Sequence, residues 1–397
     1  MFAGNTDDWL NIEDIRKAAR RRAHRMVFDY IDGGSDDERT LAQNRDDFDA
    51  HNIYHRVLTG HDKPDTTAHF LGHKLDVPFF LSPAAGNRLF HTDGEAGPAL
   101  AARDVGTAYS LSTLSSTSIE DIAALTDGPK FFQLYVWKDR GLVKAMLERA
   151  KASGYSVLTL TVDFPITGFR ERDKRNGFTI PPKVGVKQAW HALNAPFWVW
   201  DYLTKPAVKY ANLDGDTPAV SLNQFVSEQL NAAFDWRDAE WLLGEWAGKT
   251  MIKGVVRSDD AVRALRTGFD AISISNHGGR QLDGSPSPLR ALPAIRQKVG
   301  DDAPLVLDGG IRRGTDIIKA IALGADIVSF ARPYLYGLAA NGIPGARHAV
   351  QLIADALRRD MVLAGVSSIG EISRDLLHPE SVDRIPADSD RLEKKAV

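Results

Sequence analysis

The sequence predicts an α/β fold: a closed (β/α)8 TIM barrel with an N-terminal helical segment and a long insertion after the fourth barrel strand. Three observations predict it. From about residue 77, short apolar runs alternate with helix-forming stretches. The runs number eight. Each run ends in polar residues or glycine, and the carboxyl ends of strands are where barrels of this kind carry their chemistry. A doubly wound open sheet would share the alternation, but the count of eight and the polar strand ends favour the barrel.

The N-terminal cap, residues 1–76, opens with helices. Leu10 begins one, and Arg16 to Arg25 forms a basic helical face. Met26 to Ile31 stops at Gly33-Gly34, and Thr40 to Phe48 resumes a helical pattern. Residues 53–76 read as irregular or short β structure, with turns at His61-Asp-Lys-Pro and Leu71-Gly-His-Lys. The barrel, residues 77–365, then runs through eight strands. They are Pro78–Ser82, Thr107–Leu111, Lys130–Tyr135, Ser156–Val162, Thr250–Lys253, Ala271–Ile274, Pro304–Asp308 and Asp326–Phe330. Helix signals occupy Gly94–Val105, Leu142–Ser153, Ser258–Thr267 and Thr315–Leu323. Gly345 to Gly365 reads as a helix closing the barrel, Ile369-Gly-Glu-Ile as a further short helix, and residues 366–397 as a tail whose last part is charged. The whole is expected to be one domain.

The insertion, about residues 164–235, breaks the rhythm. Loops of this length in a compact domain are usually lids or interaction elements. Trp190, Phe197, Trp198, Trp200, Tyr202 and Tyr210 are interleaved with Lys183, Lys187, Lys205 and Lys209. Such a pattern suits a membrane interface over about 183–212. It equally suits an insertion packed on the barrel or on a second subunit.

Composition narrows the possibilities. The 397 residues are 43% hydrophobic, enough for a sizeable core. A net charge of −3 gives no reason to expect nucleic acid. With no cysteine, disulfides, thiolate catalysis and zinc–sulfur sites are excluded, and no metal centre is expected. The N-terminus lacks the pattern of a secretory signal, and no apolar stretch approaches the ~18 residues of a membrane span. A cytoplasmic protein is expected.

The strand ends carry the chemistry. His277 and Arg280 follow the sixth strand, separated by two glycines. A titratable base beside a fixed cation suits deprotonation of a substrate that bears a carboxylate. Asp283 lies close after the base and is expected to hold the imidazolium that forms. Asp308-Gly309-Gly310-Ile-Arg312 follows the seventh strand, and Ala331-Arg332-Pro333 the eighth. Glycine N–H groups and guanidinium forks make an anion cradle, and this is where many barrels hold a phosphate. Ser112, Gln133, Thr161 and Ser275 offer neutral donors and acceptors, and Lys253 a cation. Together they suit a flat, phosphate-tethered heteroaromatic cofactor such as a flavin, whose N1 and O2 carry negative charge when reduced. Lys253 could instead form a buried ion pair with Asp308. No Rossmann fingerprint or Walker loop is present.

These motifs carry a resemblance. Ser275-Asn-His-Gly-Gly-Arg-Gln-Leu-Asp283, Leu307-Asp-Gly-Gly-Ile-Arg-Arg-Gly314, Phe132-Gln-Leu-Tyr135 and Thr161-Val-Asp163 resemble the FMN-dependent L-2-hydroxy acid oxidases and dehydrogenases, from about Leu10 to Leu377. The resemblance implies FMN as cofactor and His277 as the base. It implies that Arg170 and Arg280 grip the substrate carboxylate, with hydroxyls from Tyr30 and Tyr135. It places Lys253 by the flavin N1 and O2, Ala84 and Ala85 near N5, and Ser112, Gln133, Thr161 and Ser275 along the ring. Asp308 would meet the ribityl chain, while Gly310, Arg312 and Arg332 would hold the phosphate.

The implied reaction passes a hydride from the α-carbon to N5 as His277 takes the hydroxyl proton; the carbanion order would use the same residues. Ala331 stands where many relatives have glycine, which puts the phosphate turn in question. Leu114 stands where short-chain glycolate oxidases have tryptophan, which implies a roomier pocket for a lactate- or mandelate-like acid. Thr167-Gly-Phe-Arg-Glu-Arg-Asp173 looks most like the membrane-associated mandelate and lactate dehydrogenases. That likeness implies quinone or oxygen as electron acceptor, peripheral binding on the inner face of the cytoplasmic membrane, and a homo-oligomer, expected as a tetramer. The alternative from another class is an FMN barrel isomerase acting on a phosphorylated substrate.

Overall fold

A computed structural model describes residues 6–178, 186–213 and 228–382. Three helices open the chain: α1 (Ile12–Arg22), α2 (Arg25–Asp32) and α3 (Arg39–Asp49). Asn11 caps α1, its side chain accepting the N–H of Asp14 at 3.0 Å. A hairpin follows, β1 (Ala68–Phe70) and β2 (His73–Leu75), turning at Leu71 and Gly72.

The next eight strands close a parallel barrel in the order β10-β3-β4-β5-β6-β7-β8-β9. They are β3 (Phe79–Leu81), β4 (Tyr109–Ser112), β5 (Lys130–Tyr135), β6 (Val157–Thr161), β7 (Lys249–Val255), β8 (Ala271–Ile274), β9 (Leu305–Asp308) and β10 (Ile327–Phe330). All eight lie where the sequence places them. The helices between are α4 (Ala96–Asp104), α5 (Ile119–Leu125), α6 (Arg140–Ala152), α7 (Glu171–Arg175), α8 (Val186–Leu193), α9 (Pro196–Thr204), α10 (Trp236–Glu245), α11 (Ser258–Thr267), α12 (Pro288–Val299), α13 (Gly314–Ala322) and α14 (Arg332–Ala364).

Three barrel helices, α5, α10 and α12, lie outside the stretches whose pattern predicts a helix, although each has a capping side chain, Asp235 for α10. Ser118 accepts from the N–H of Asp121, and Ser287 from that of Arg290, with Pro288 opening the helix. The closing helix also begins earlier than expected, at Arg332. Asn341 and Gly342 leave helical geometry, so a break separates its first part from the part read as Gly345–Gly365. Ile369–Glu371 is a single 3-10 turn. The charged end, residues 384–397, lies outside the described residues.

The lower half of the barrel is apolar. Phe80, Phe131, Met251 and Val306, all buried, face inward from alternate strands. Phe70 and Leu75 of the hairpin pack beneath them as a plug. This leaves the upper, carboxyl-terminal half of the strands free to carry polar groups.

Candidate active site

The upper mouth opens into a cavity of about 380 Å3. Of the residues singled out from sequence, His277, Arg170, Arg280, Tyr30, Tyr135, Lys253, Gln133, Thr161, Ala84, Ala85, Asp308, Gly309, Gly310, Arg312, Ala331 and Arg332 line it. Ser112 and Ser275 are not among the lining residues. Each is buried behind it: Ser112 Oγ donates to Gln133 Oε1, and Ser275 Oγ accepts from Lys253 Nζ.

His277 holds a left-handed backbone at φ 58°, a conformation that costs a non-glycine residue energy and often marks a functional position. Its Nδ1 lies 2.9 Å from Asp163 Oδ1. A carboxylate at that distance keeps the proton on Nδ1 and leaves the lone pair on Nε2. The carboxylate partner is therefore Asp163, not Asp283. Asp283 instead accepts the N–H groups of Thr40 at 2.8 Å and Arg39 at 3.3 Å, capping α3. Glu38 at the N-cap position of α3 makes no such bond, so Asp283 supplies the missing acceptor from across the fold.

Arg170 and Arg280 meet over one ring. Their Cζ atoms lie 5.2 and 4.6 Å from the centroid of Tyr30. Burial and the Arg170 charge both push the Arg280 guanidinium below its ordinary pKa. Arg170 leans on Asp173 at 3.3 Å. Burial raises the Asp173 carboxyl above the usual range, although both arginines oppose the shift. Tyr30 itself stacks on Phe178, with centroids 4.5 Å apart and planes 6° apart. Tyr135 is buried against Phe164, and burial raises its hydroxyl pKa.

The C-terminal end of α2 ties the two arginine sites together. Arg280 donates to the carbonyls of Tyr30 and Gly33, and Arg332 to those of Ile31, Gly33 and Gly278. Free carbonyls at a helix end attract cations, which explains why the N-terminal helices fold over the barrel mouth.

Beneath the mouth, Lys253 Nζ lies 2.7 Å from Asp308 Oδ2. Burial works against the lysine charge, but Asp308 and Asp163 outweigh it and raise its pKa. Burial likewise opposes the Asp308 charge, yet Lys253 and the hydroxyls of Ser82 and Ser275 hold that carboxyl down to about 2. Asp308 also accepts from Ser329. With four donors around it, its carboxylate is committed to Lys253 and the strand-end serines rather than standing free toward the mouth. Ser112, Gln133 and Thr161 form a neutral chain, Gln133 Nε2 donating to Thr161 Oγ1 at 3.0 Å.

Gly309 and Gly310 take φ of 110° and 81°, open to glycine alone in practice. Arg312 and Arg332 lie half-buried beside them. Burial lowers both, Arg332 to about 10, and the neighbouring Arg280 and Arg312 charges push Arg332 the same way. Half-buried guanidiniums that repel one another mark a place for an anion. Ala331 sits at φ −118°, where its methyl brings no backbone strain.

The insertion divides in two. Trp198 is buried, its Nε1 donating to Leu89 O at 2.8 Å, and Tyr210 is buried in the cavity wall. Both depart from the expectation of a continuous interfacial patch, because barrel loops cover them. Trp190, Leu193, Trp200 and Leu203 are exposed, at 68–73%. Lys205 and Lys209 are exposed nearby in sequence; Lys183 lies outside the described residues. Among the described residues no helix is long and apolar enough to cross a membrane.

Comparison with known proteins identifies the family. A profile of FMN-dependent dehydrogenases matches residues 19–379. L-lactate oxidase from a Nostoc species is 41% identical over 375 residues, covering 93% of this chain and 98% of that protein. L-lactate dehydrogenase from Actinobacillus pleuropneumoniae is 40% identical over 369 residues, covering 92% and 97%. The crystal structure of the monotopic membrane protein (S)-mandelate dehydrogenase superposes with a TM-score of 0.90 at 35% identity, covering 94% and 99%. The chain belongs to the FMN-dependent L-2-hydroxy acid oxidase and dehydrogenase family, and FMN is its cofactor.

Three features of the site escaped residue-level reading. Asp163 was visible as a strand-end carboxylate but not as the partner of His277. Tyr30 and Arg170 entered only through the resemblance. The stacking of Phe178 on Tyr30 had no sequence signal.

Proposed function

We propose that this chain oxidises a lactate- or mandelate-like L-2-hydroxy acid with a medium to large side chain to its 2-oxo acid. The observation that carries this reading is the convergence of Arg170, Arg280 and an Asp163-held His277 on one cavity. Two guanidiniums over Tyr30 fix a carboxylate, and with it the orientation of the α-carbon. Orientation of this kind can contribute ~7–11 kcal/mol to lowering a barrier. Tyr135 and Tyr30 line the same cavity, and their hydroxyls suit the substrate. His277 takes the substrate hydroxyl proton at Nε2 while Asp163 stabilises the resulting imidazolium; a positioned base contributes ~10²–10⁴-fold. When bound, FMN supplies the two-electron oxidant that accepts the α-hydrogen with its electron pair.

The residues present fit that cofactor. Arg312, Arg332 and the Gly309-Gly310 turn suit its phosphate. The Ser112–Gln133–Thr161 chain and Ser275 suit the polar edge of a flat ring, Ala84 and Ala85 its face, and Lys253 its electron-rich locus. Leu114, buried in the cavity wall, leaves room for a side chain larger than a methyl group.

The reoxidant is a quinone or oxygen. The exposed apolar face of α8 and α9 supports seating on a membrane, where quinone is found. The basic turn Arg20 to Arg22 of α1 lies beside it, with Arg22 over Phe197 at 5.6 Å. We place the protein peripherally on the inner face of the cytoplasmic membrane, as a homo-oligomer expected to be a tetramer; light scattering tests the assembly.

Anaerobic mixing with (S)-mandelate or L-lactate tests the activity. Bleaching of the flavin is expected. A flavin that stays yellow with every 2-hydroxy acid offered, yet turns over a phosphorylated substrate without net oxidation, would support an isomerase instead. Trp190→Ser, Trp200→Ser and Leu203→Ser together test the membrane reading. They spare the buried Trp198 and Tyr210, so activity with a soluble dye is expected to persist while liposome binding is lost.

A further inference from the structure

Strand register determines which inward side chains share a level in the barrel. Ser110 pairs with Phe131, and Phe131 with Val157. Two residues on from Val157 is Thr159, which pairs with Met251, and Met251 with Ala271. Two further on is Ser273, which pairs with Val306, and Val306 with Ile327. Two further on again is Ser329, which pairs with Phe80. Because levels in such a barrel draw on alternate strands and climb with the strand tilt, Ser110, Thr159, Ser273 and Ser329 form one ring, on β4, β6, β8 and β10. The ring below is Phe80, Phe131, Met251 and Val306. The ring above is Ser82, Gln133, Lys253 and Asp308.

A ring of four hydroxyls at this depth is unusual, since bulky branched side chains dominate barrel interiors. All four residues are at most 1% exposed. Ser329 Oγ donates to Asp308 Oδ1 at 2.8 Å. Ser110 Oγ, Thr159 Oγ1 and Ser273 Oγ have no hydrogen-bond partner among the described residues. Buried hydroxyls are rarely left unpaired. Three serines and a threonine also fill far less space than the phenylalanines and methionine beneath them. Small side chains leave room, and three inward hydroxyls supply the two to four partners that a buried water needs.

We propose that the centre of the barrel is a water-binding site. Ordered water is held by Ser110, Thr159 and Ser273 and joined through Ser329 to Asp308. It solvates the Lys253–Asp308 pair from beneath, on the side away from the cofactor. The ring would thus lessen the cost of keeping two charges in the barrel interior, and its residues are positioning residues rather than catalytic ones.

A crystal structure of the FMN-bound enzyme, at a resolution that shows individual waters, tests the site. Density within hydrogen-bond distance of at least two of the three hydroxyls is expected. A dry centre, with the hydroxyls turned onto strand carbonyls, would overturn the proposal. The variant Ser110→Ala/Thr159→Val/Ser273→Ala gives a second reading. Removing hydroxyls that hold water is expected to lower the melting temperature of the holoenzyme by roughly 2–4 °C. An unchanged or higher melting temperature would mean that the hydroxyls were orphans and would overturn the proposal, because replacing an unpaired buried hydroxyl by an apolar group of similar shape does not destabilise. Should the triple variant fail to fold, the near-isosteric Thr159→Val alone is read in the same way.

Discussion

The two ends of the barrel solve opposite problems with the same eight strands. At the lower end, Phe80, Phe131, Met251 and Val306 meet a hydrophobic plug, and stability comes from apolar area removed from water. At the upper end, Lys253 and Asp308 are also buried, and Arg312 and Arg332 half-buried, but as charges. Each survives there only through a partner: Asp308 for Lys253, carbonyls and an anion site for the arginines. The difference teaches where substitutions are forgiven. The lower end tolerates apolar side chains of similar volume, whereas the upper end tolerates the loss of both partners at once better than the loss of one.

The contrast can be broken at several points. The largest effect is expected at His277. His277→Ala should keep the yellow cofactor but slow flavin reduction by substrate roughly 10²–10⁴-fold, read by anaerobic stopped-flow absorbance. Normal bleaching would remove the assigned base. Asp163→Asn should follow it in direction, because the amide no longer favours the Nδ1–H tautomer.

Next comes the buried pair. Lys253→Met leaves Asp308 charged without its cation, and should destabilise the fold by about 3–5 kcal/mol in urea titration. Met251→Leu, two levels lower in the opposite regime, should cost less than about 1.5 kcal/mol. Equal costs would erase the distinction between the ends.

The pH dependence sharpens the same pair. Asp308 titrates at about 2, below its ordinary 3.8. A depressed carboxyl pKa adds stability that is present above the ordinary value and lost as pH falls through the folded one. In Lys253→Met the sign reverses, because burial without the cation raises the pKa and protonation relieves the strain. The stability gap between the two proteins should therefore narrow as pH falls, first above 3.8 as the variant's raised carboxyl protonates and then down to about 2 as the wild type loses its own contribution. A gap that widens in acid would contradict the pairing.

The smallest effect is expected at Asp283. Asp283→Ala removes the acceptor at the start of α3 and should cost about 0.5–2 kcal/mol of stability. Flavin reduction should stay near the wild-type rate, in contrast to Asp163→Asn.

The contrast between ends also explains what was legible. Eight strands were readable because an apolar run that stops at Asp308, Lys253 or Ser82 announces both its burial and its open end. Asp283 was misassigned because closeness in sequence to His277 stood in for closeness in space. The real partner, Asp163, lies 114 positions away and reaches His277 only because β6 and β8 both flank β7. Tyr30 sits on a helix whose path over the mouth depends on carbonyls that Arg280 and Arg332 capture, which no local pattern encodes. Trp198 and Trp200 look alike in sequence, yet one is buried under barrel loops and the other exposed. The helices α5 and α12 were short of periodic signal but carried serine caps.

The central claim is that Arg170, Arg280 and His277 act on one substrate. A crystal structure of the FMN-bound enzyme with a 2-oxo acid product tests it most directly. The product carboxylate should bridge the two guanidiniums above Tyr30, with its keto oxygen within hydrogen-bond distance of His277 Nε2. A carboxylate bound elsewhere, with Arg170 and Arg280 left on Tyr30 and Asp173 alone, would contradict the account.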